Sequence, residues 1–190
     1  MRIVEIQILL FAFGFSYSVW AQEGGDAPIS YGSRTTGFAA AIESVKKIEA
    51  ECIQVIDEIK EEVVIKADGT PPYVLLGRRE LEAIYFVESI RSNKAAQKLI
   101  RFLGLALIEK KADSQKITFE KTADHALQSI GLPSVDAIVH GVQDATIKED
   151  KYNVAWSVLK DICGKETVIE RVKRLGFQEN PKIIAFLKDR

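Results

Sequence analysis

One apolar helix face is written three times in this chain. Aligning Glu88-Ser89-Ile90 with Gln128-Ser129-Ile130 and Lys160-Asp161-Ile162 brings four positions into columns: Ala83, Ala123 and Ala155; Phe86, Ala126 and Val158; Val87, Leu127 and Leu159; Ile90, Ile130 and Ile162. Within each row the spacing is i, i+3, i+4, i+7, the pattern of a helix with one buried side. A second apolar period follows each row after a short break: Ala96, Leu99, Ile100 and Leu103; Val135, Ile138, Val139 and Val142; Val168, Val172 and Leu175. Three consecutive helical hairpins are therefore expected, recurring at an interval typical of repeat architectures. Pro133 suits the first turn of a helix, and Gly131 and Gly164 are expected to take the left-handed conformation that closes the helix before each.

The middle copy, Ala123-x-x-Ala126-Leu127-x-x-Ile130-Gly131-x-Pro133-x-Val135-x-x-Ile138-Val139, resembles the core of a HEAT repeat. Ala155-x-x-Val158-Leu159-x-x-Ile162-Cys163-Gly164 resembles its first half, while the first copy has Arg91-Ser92-Asn93 in place of the Gly-x-Pro turn. The resemblance covers about residues 76 to 176. It implies an all-α fold, a short α-α superhelix of stacked antiparallel helix pairs whose inner face binds proteins, and it implies no reaction. The other reading of the same stripe is an unrelated helical bundle.

Upstream, Phe38, Ile42, Val45, Ile48, Cys52, Val55, Ile56, Ile59 and Val63 fall at helical spacing and predict one long amphipathic helix over 37–65, ended by Asp68-Gly69-Thr70-Pro71-Pro72. No segment after that loop reads as a strand. The long helix is expected to cover one end of the repeats and a terminal helix over 180–188, carrying Ile183, Ile184 and Leu187, the other, so that 37–190 forms a single helical domain. Residues 22–36, rich in Gly, Ser and Thr, read as a flexible lead-in.

Before the lead-in, Arg2 precedes an apolar run from Ile6 to Phe15 that finishes in Val19-Trp20-Ala21. This is the pattern of a secretory signal over 1–21 cleaved after Ala21, and it predicts a secreted or periplasmic protein without stable membrane insertion; retention as an anchor is the competing reading. No cysteine follows the run closely enough for lipidation. In an oxidising compartment a disulfide between Cys52 and Cys163 is chemically allowed, the alternative being two buried free thiols.

With a formal net charge of −1, the chain lacks the basic excess from which nucleic-acid binders draw affinity. Its histidines, His125 and His140, both lie in the middle repeat, outside any HExxH or CxxC spacing, and read as exposed helix residues rather than ligands. Neither a GxSxG elbow nor a glycine-rich phosphate loop occurs in the sequence, so neither a nucleophile nor a nucleotide or other cofactor is expected. What remains is a column on the second helices, Arg101, His140 and Lys173, flanked by Lys94, Lys98 and Arg174. Such a strip favours an acidic protein partner; read blandly, it is an ordinary solvated face. The functional expectation is an exported, non-enzymatic adaptor that binds protein through residues 94–108, 133–143 and 166–175. A self-associating envelope protein joined through the long helix is the first rival, and an enzyme using His125 or His140 the second.

Overall fold

The computed structural model describes residues 31–67, 70–110 and 121–188, without the side chains of 31–37 and Lys121. The expected signal over 1–21, the lead-in up to residue 30 and the Asp68-Gly69 turn lie outside the described residues. The described residues fall into two units divided after Lys46. In the first, the described part is the opening stretch of helix α1, Tyr31–Asp57, where Phe38 and Ile42 are exposed. The helix starts six residues inside the expected lead-in.

In the second unit α1 ends at Asp57, eight residues short of the expected 65. The apolar spacing does continue, through Ile59 and Val63, but its last members are used otherwise. Val63–Val64 forms strand β1, which pairs antiparallel with strand β2, Tyr73–Leu76, in the register Val63↔Val74 and Val64↔Tyr73. β-Branched residues on a pleated surface favour this outcome over a further helical turn.

The expected hairpins are present as helix pairs α2 (Arg78–Ser89) with α3 (Asn93–Leu99), α4 (Ala123–Ile130) with α5 (Leu132–Gln143), and α6 (Tyr152–Ile162) with α7 (Lys165–Arg174). Ala123, Ala126, Leu127 and Ile130 are all fully buried, and Ala83, Val87, Ala155, Val158 and Leu159 nearly so. Burial of each large aliphatic member contributes about 1.5–3 kcal/mol. The helices order themselves in two rows. α2 packs on α4 and α4 on α6, while α3 packs on α5 and α5 on α7.

The chain is thus predominantly helical, but it also carries strands where none was read. β2 runs parallel to β3, Ala106–Glu109, from Tyr73↔Ala106 to Leu76↔Glu109, with α2 and α3 as the crossover between them. β4, Lys121–Thr122, pairs antiparallel with β3, giving the order β1-β2-β3-β4. The second helix of the first pair consequently stops after a 3-10 turn at Ile100–Phe102, and residues 103–108 leave the helical span assigned to them. Gly104, at φ 77°, turns the chain into β3.

Each hairpin turn has its own chemistry. Gly131 ends α4 at a positive φ, 81°, but with ψ −136° instead of the left-handed helical value expected, and Pro133 sits in the first turn of α5. Gly164 does not take the left-handed conformation: it is extended at φ −73° and precedes α7 as its N-cap, after an equally extended Cys163. In the first hairpin, where the glycine is missing, Arg91 adopts φ 52° and the Ser92 N–H donates to the Val87 carbonyl at 2.9 Å, a helix end normally made by glycine.

A polar knot ties the hairpins together at their leading ends. The Gly104 N–H donates to Asp124 Oδ1 at 2.8 Å, and Lys151 Nζ, just before α6, donates to the Leu103 carbonyl at 2.8 Å. Burial raises the Asp124 carboxyl above the usual range, against the lowering effects of the Gly104 hydrogen bond and the Lys151 charge.

The terminal helix α8, Pro181–Leu187, lies on α5, with Phe186 against Tyr152 and Trp156 of α6. Its buried residues are Ile183 and Phe186; Ile184, expected on the apolar side, is 53% exposed.

Candidate functional site

The six basic or aromatic-nitrogen side chains of the expected strip are all on second helices or the turn that extends one of them, but the fold does not present them as one open surface. Arg101 is the clearest departure. Its Nη2 donates to the carbonyls of Ile56, Asp57 and Ile59, its Nε lies 3.6 Å from Glu61 Oε1, and its guanidinium carbon stands 4.6 Å from the centre of the Phe102 ring. The last carbonyls of a helix have no partner within it and carry partial negative charge, so a guanidinium there acts as a cap. Arg101 is therefore spent on ending α1, and its side chain is only 22% exposed.

Lys98, one turn earlier, forms a 2.8 Å ion pair with Asp57, again on the end of α1. Next to these, Ser92 Oγ donates to Glu49 Oε1 while accepting the Ala95 N–H as the N-cap of α3. The first hairpin thus uses its outward cations to hold the end of the long helix.

On the other side of the strip, Arg174 Nη2 reaches Asp136 Oδ2 at 3.1 Å, and Arg171 Nη1 reaches the same carboxylate at 3.0 Å. His140 meets Phe177 edge-on with ring centres 5.1 Å apart. Lys182 Nζ donates to the Gln143 carbonyl at 3.4 Å. Lys94 and Lys173 are exposed and have no ion-pair partner among the described residues. Among the described residues these two lysines are the uncommitted charge of the strip.

Aspartates are what the sequence reading missed. Asp57 and Asp136 neutralise the strip from elements 41 and 35 to 38 residues away. Arg171 and Arg174 fall one turn apart on α7, a spacing that marks them as facing the same neighbour. Phe177 and Phe186 were missed as well. Phe186 is fully buried, with its ring edge-on to Tyr152 at 5.2 Å and to Trp156 at 5.9 Å, and its i−3 spacing to Ile183 is the one signal that could have placed it inward.

His125 and His140 are not brought together into one site. His125 is exposed at the start of α4, its backbone N–H donating to the Thr122 side chain at 3.2 Å and its Nδ1 3.4 Å from Ser129 Oγ, while His140 packs on Phe177 from α5. Among the described residues no group of three or more His, Cys, Asp or Glu side chains converges on a metal-sized space.

The disulfide allowed by the sequence is not formed: Cys52 and Cys163 are both free thiols. Burial raises the Cys52 thiol, with Glu51 adding to the shift and Arg79 opposing it; burial also raises Cys163, against the pull of Arg171. Both shifts favour the thiol over the thiolate.

Among the described residues no helix is long and apolar enough to cross a membrane. Comparison of the chain with protein-family models, with curated proteins and with solved structures finds no match.

Proposed function

We propose that this chain is an exported, non-enzymatic interaction module of HEAT-like type, released by cleavage after Ala21 into a secreted or periplasmic setting, that binds a protein partner. The observation that carries the reading is the double row of helices, with α2, α4 and α6 neighbouring one another on one side and α3, α5 and α7 on the other. Helix pairs stacked in this way bury a continuous core and leave long exterior faces for recognition. The expected basic strip enters the proposal in reduced form, through Lys94 and Lys173, because Lys98, Arg101 and Arg174 are engaged within the chain.

The test is capture of the tagged full-length protein from its native host after mild cross-linking, with mass spectrometry of what accompanies it and of its own N-terminus. One reproducible envelope or extracellular partner, on a chain beginning at Gln22, is the expected result. Recovery of the protein alone removes the adaptor reading.

A second reading, self-association through α1, is favoured by one observation: Phe38 and Ile42, one turn apart, are 68% and 42% exposed. Adjacent large apolar side chains on an exposed helix are what a partner helix covers. Sedimentation at rising concentration tests it, and a monomer throughout would discard it.

A further inference from the structure

The outward side of α5 is partly covered. Asp136, His140 and Gln143 follow one another at i, i+4 and i+7, and each is met by the chain's own C-terminal stretch: Asp136 by Arg171 and Arg174, His140 by Phe177, and the Gln143 carbonyl by Lys182. Past Lys182, Ile183 and Phe186 are fully buried, and Phe186 stands against the rings of Tyr152 and Trp156 on α6.

α8, which supplies that pair, is a poor helix by itself. Seven residues are too few to be helical in water without an external surface. It is held by the Asn180 side chain, which accepts the Lys182 and Ile183 N–H groups, by Pro181 in its first turn, and by the burial of one aliphatic and one aromatic side chain. Pro181, Lys182, Ile184, Ala185 and Lys188 remain exposed. An amphipathic helix seated by anchors at i and i+3 on an aromatic surface is the way protein modules take up helical peptides.

We propose that the surface of α5 and α6 bearing Tyr152 and Trp156 is a groove for a short amphipathic helix with an aliphatic-x-x-aromatic pair, that α8 occupies it in cis, and that a partner helix of the same chemistry displaces α8. The proposal rests on the interaction-module reading and adds its site, its partner class and an autoinhibitory contact. An occupant tethered by a few residues acts at millimolar effective concentration, so a free peptide competes with it poorly. The apparent affinity of the groove falls by the fraction of molecules in which it is open.

The experiment uses the full chain, wild type and Phe186→Ala, with a fluorescein-labelled peptide of residues 177–188. The variant should keep its helicity and bind the peptide saturably, at least about 10-fold more tightly than the wild type. The same peptide carrying the Phe186→Ala change should not bind. Hydrogen exchange on the wild-type chain supplies the independent reading: amides of Ile183–Leu187 should exchange at least about 100-fold faster than those of Val135–Val142, as for a segment that opens locally.

A folded variant that ignores the peptide overturns the groove. So does a variant that unfolds, since α8 would then be an integral part of the core, and so does equal protection of α8 and α5. None of these failures touches partner capture by the whole module. Peptide binding without any captured partner counts instead against the adaptor reading alone.

Discussion

Arg171 Nη1 reaches both oxygens of Asp136, at 3.3 and 3.0 Å, joining α7 to α5 across a space where the two side chains are only 20% and 25% exposed. Charge-assisted hydrogen bonds at such depth are screened less than surface pairs and are worth more. Arg174 shares the carboxylate but is 59% exposed, so its part is that of an ordinary surface pair. Asp136→Ala is expected to lower stability by about 1.5–3 kcal/mol, and Arg174→Ala by no more than about 1 kcal/mol. Urea unfolding of both variants checks the order, and a larger loss from Arg174→Ala would show the pairing to be misjudged.

Arg91 and Ala145 hold φ of 52° and 67°, a region that side chains with a Cβ enter at a cost of about 1–2 kcal/mol. Other turns of the same stack place glycine at positive φ, at Gly131 and Gly176. Glycine also makes the unfolded chain more flexible, which offsets part of the gain by about 0.4–1 kcal/mol. Arg91→Gly and Ala145→Gly should each raise stability by about 0.5–1 kcal/mol. Lying on separate turns, they should add in the double variant. A loss at either position, measured by thermal unfolding, would mean that the side chain contributes more than its conformation costs.

Gly141 stands where α5 passes the end of the first hairpin. A Cβ built there lies 2.7 Å from Ile100 Cδ1 and 3.1 Å from Ile147 Cδ1 and Cγ1. Alanine would favour the helix by about 1 kcal/mol. Both isoleucines, however, are buried and β-branched, with little freedom to step aside. Overpacking costs of about 1–3 kcal/mol should prevail, so Gly141→Ala destabilises. The diagnostic is a double-mutant cycle with Ile100→Val, which removes the clashing Cδ1 and should cost less in the alanine background than alone. Strict additivity would place the strain elsewhere.

These sites show where the sequence is readable and where it is not. The columns headed by Ala83, Phe86, Val87 and Ile90 reported the inner faces of α2, α4 and α6 because a period near 3.6 is a local property of the chain. The runs Tyr73–Leu76 and Ala106–Glu109 escaped because four mostly apolar residues in a row are too few to show a period, bounded here by Pro71-Pro72 and Gly104. The end of α1 was misplaced for a related reason: Val63 and Val64 fit the helical stripe, and only their pairing with Val74 and Tyr73 decides against it. In the candidate site, alignment identified Arg101 and His140 as off-stripe positions. It did not supply what they meet, since Ile56 and Phe177 are far from them in sequence and no period links them.

The knot at Asp124 gives a pH dependence whose sign is fixed by burial. Its carboxyl is raised in the folded state, chiefly by desolvation, so the native protein holds this proton more tightly than the unfolded chain does. The stability this contributes is fully present below the unfolded value and is lost as the pH rises through the folded one. Asparagine keeps a carbonyl able to accept the Gly104 N–H and removes the titration. Asp124→Asn should therefore match or exceed the wild type near pH ~7 and lose ground to it as the pH falls toward ~4. Asp124→Ala leaves the Gly104 N–H without its acceptor and should cost about 1–3 kcal/mol across the range. Urea unfolding at several pH values, followed through Trp156, separates the two variants. Were the wild type to gain on Asp124→Asn with rising pH, the hydrogen bond and the Lys151 charge, not burial, would govern this carboxylate.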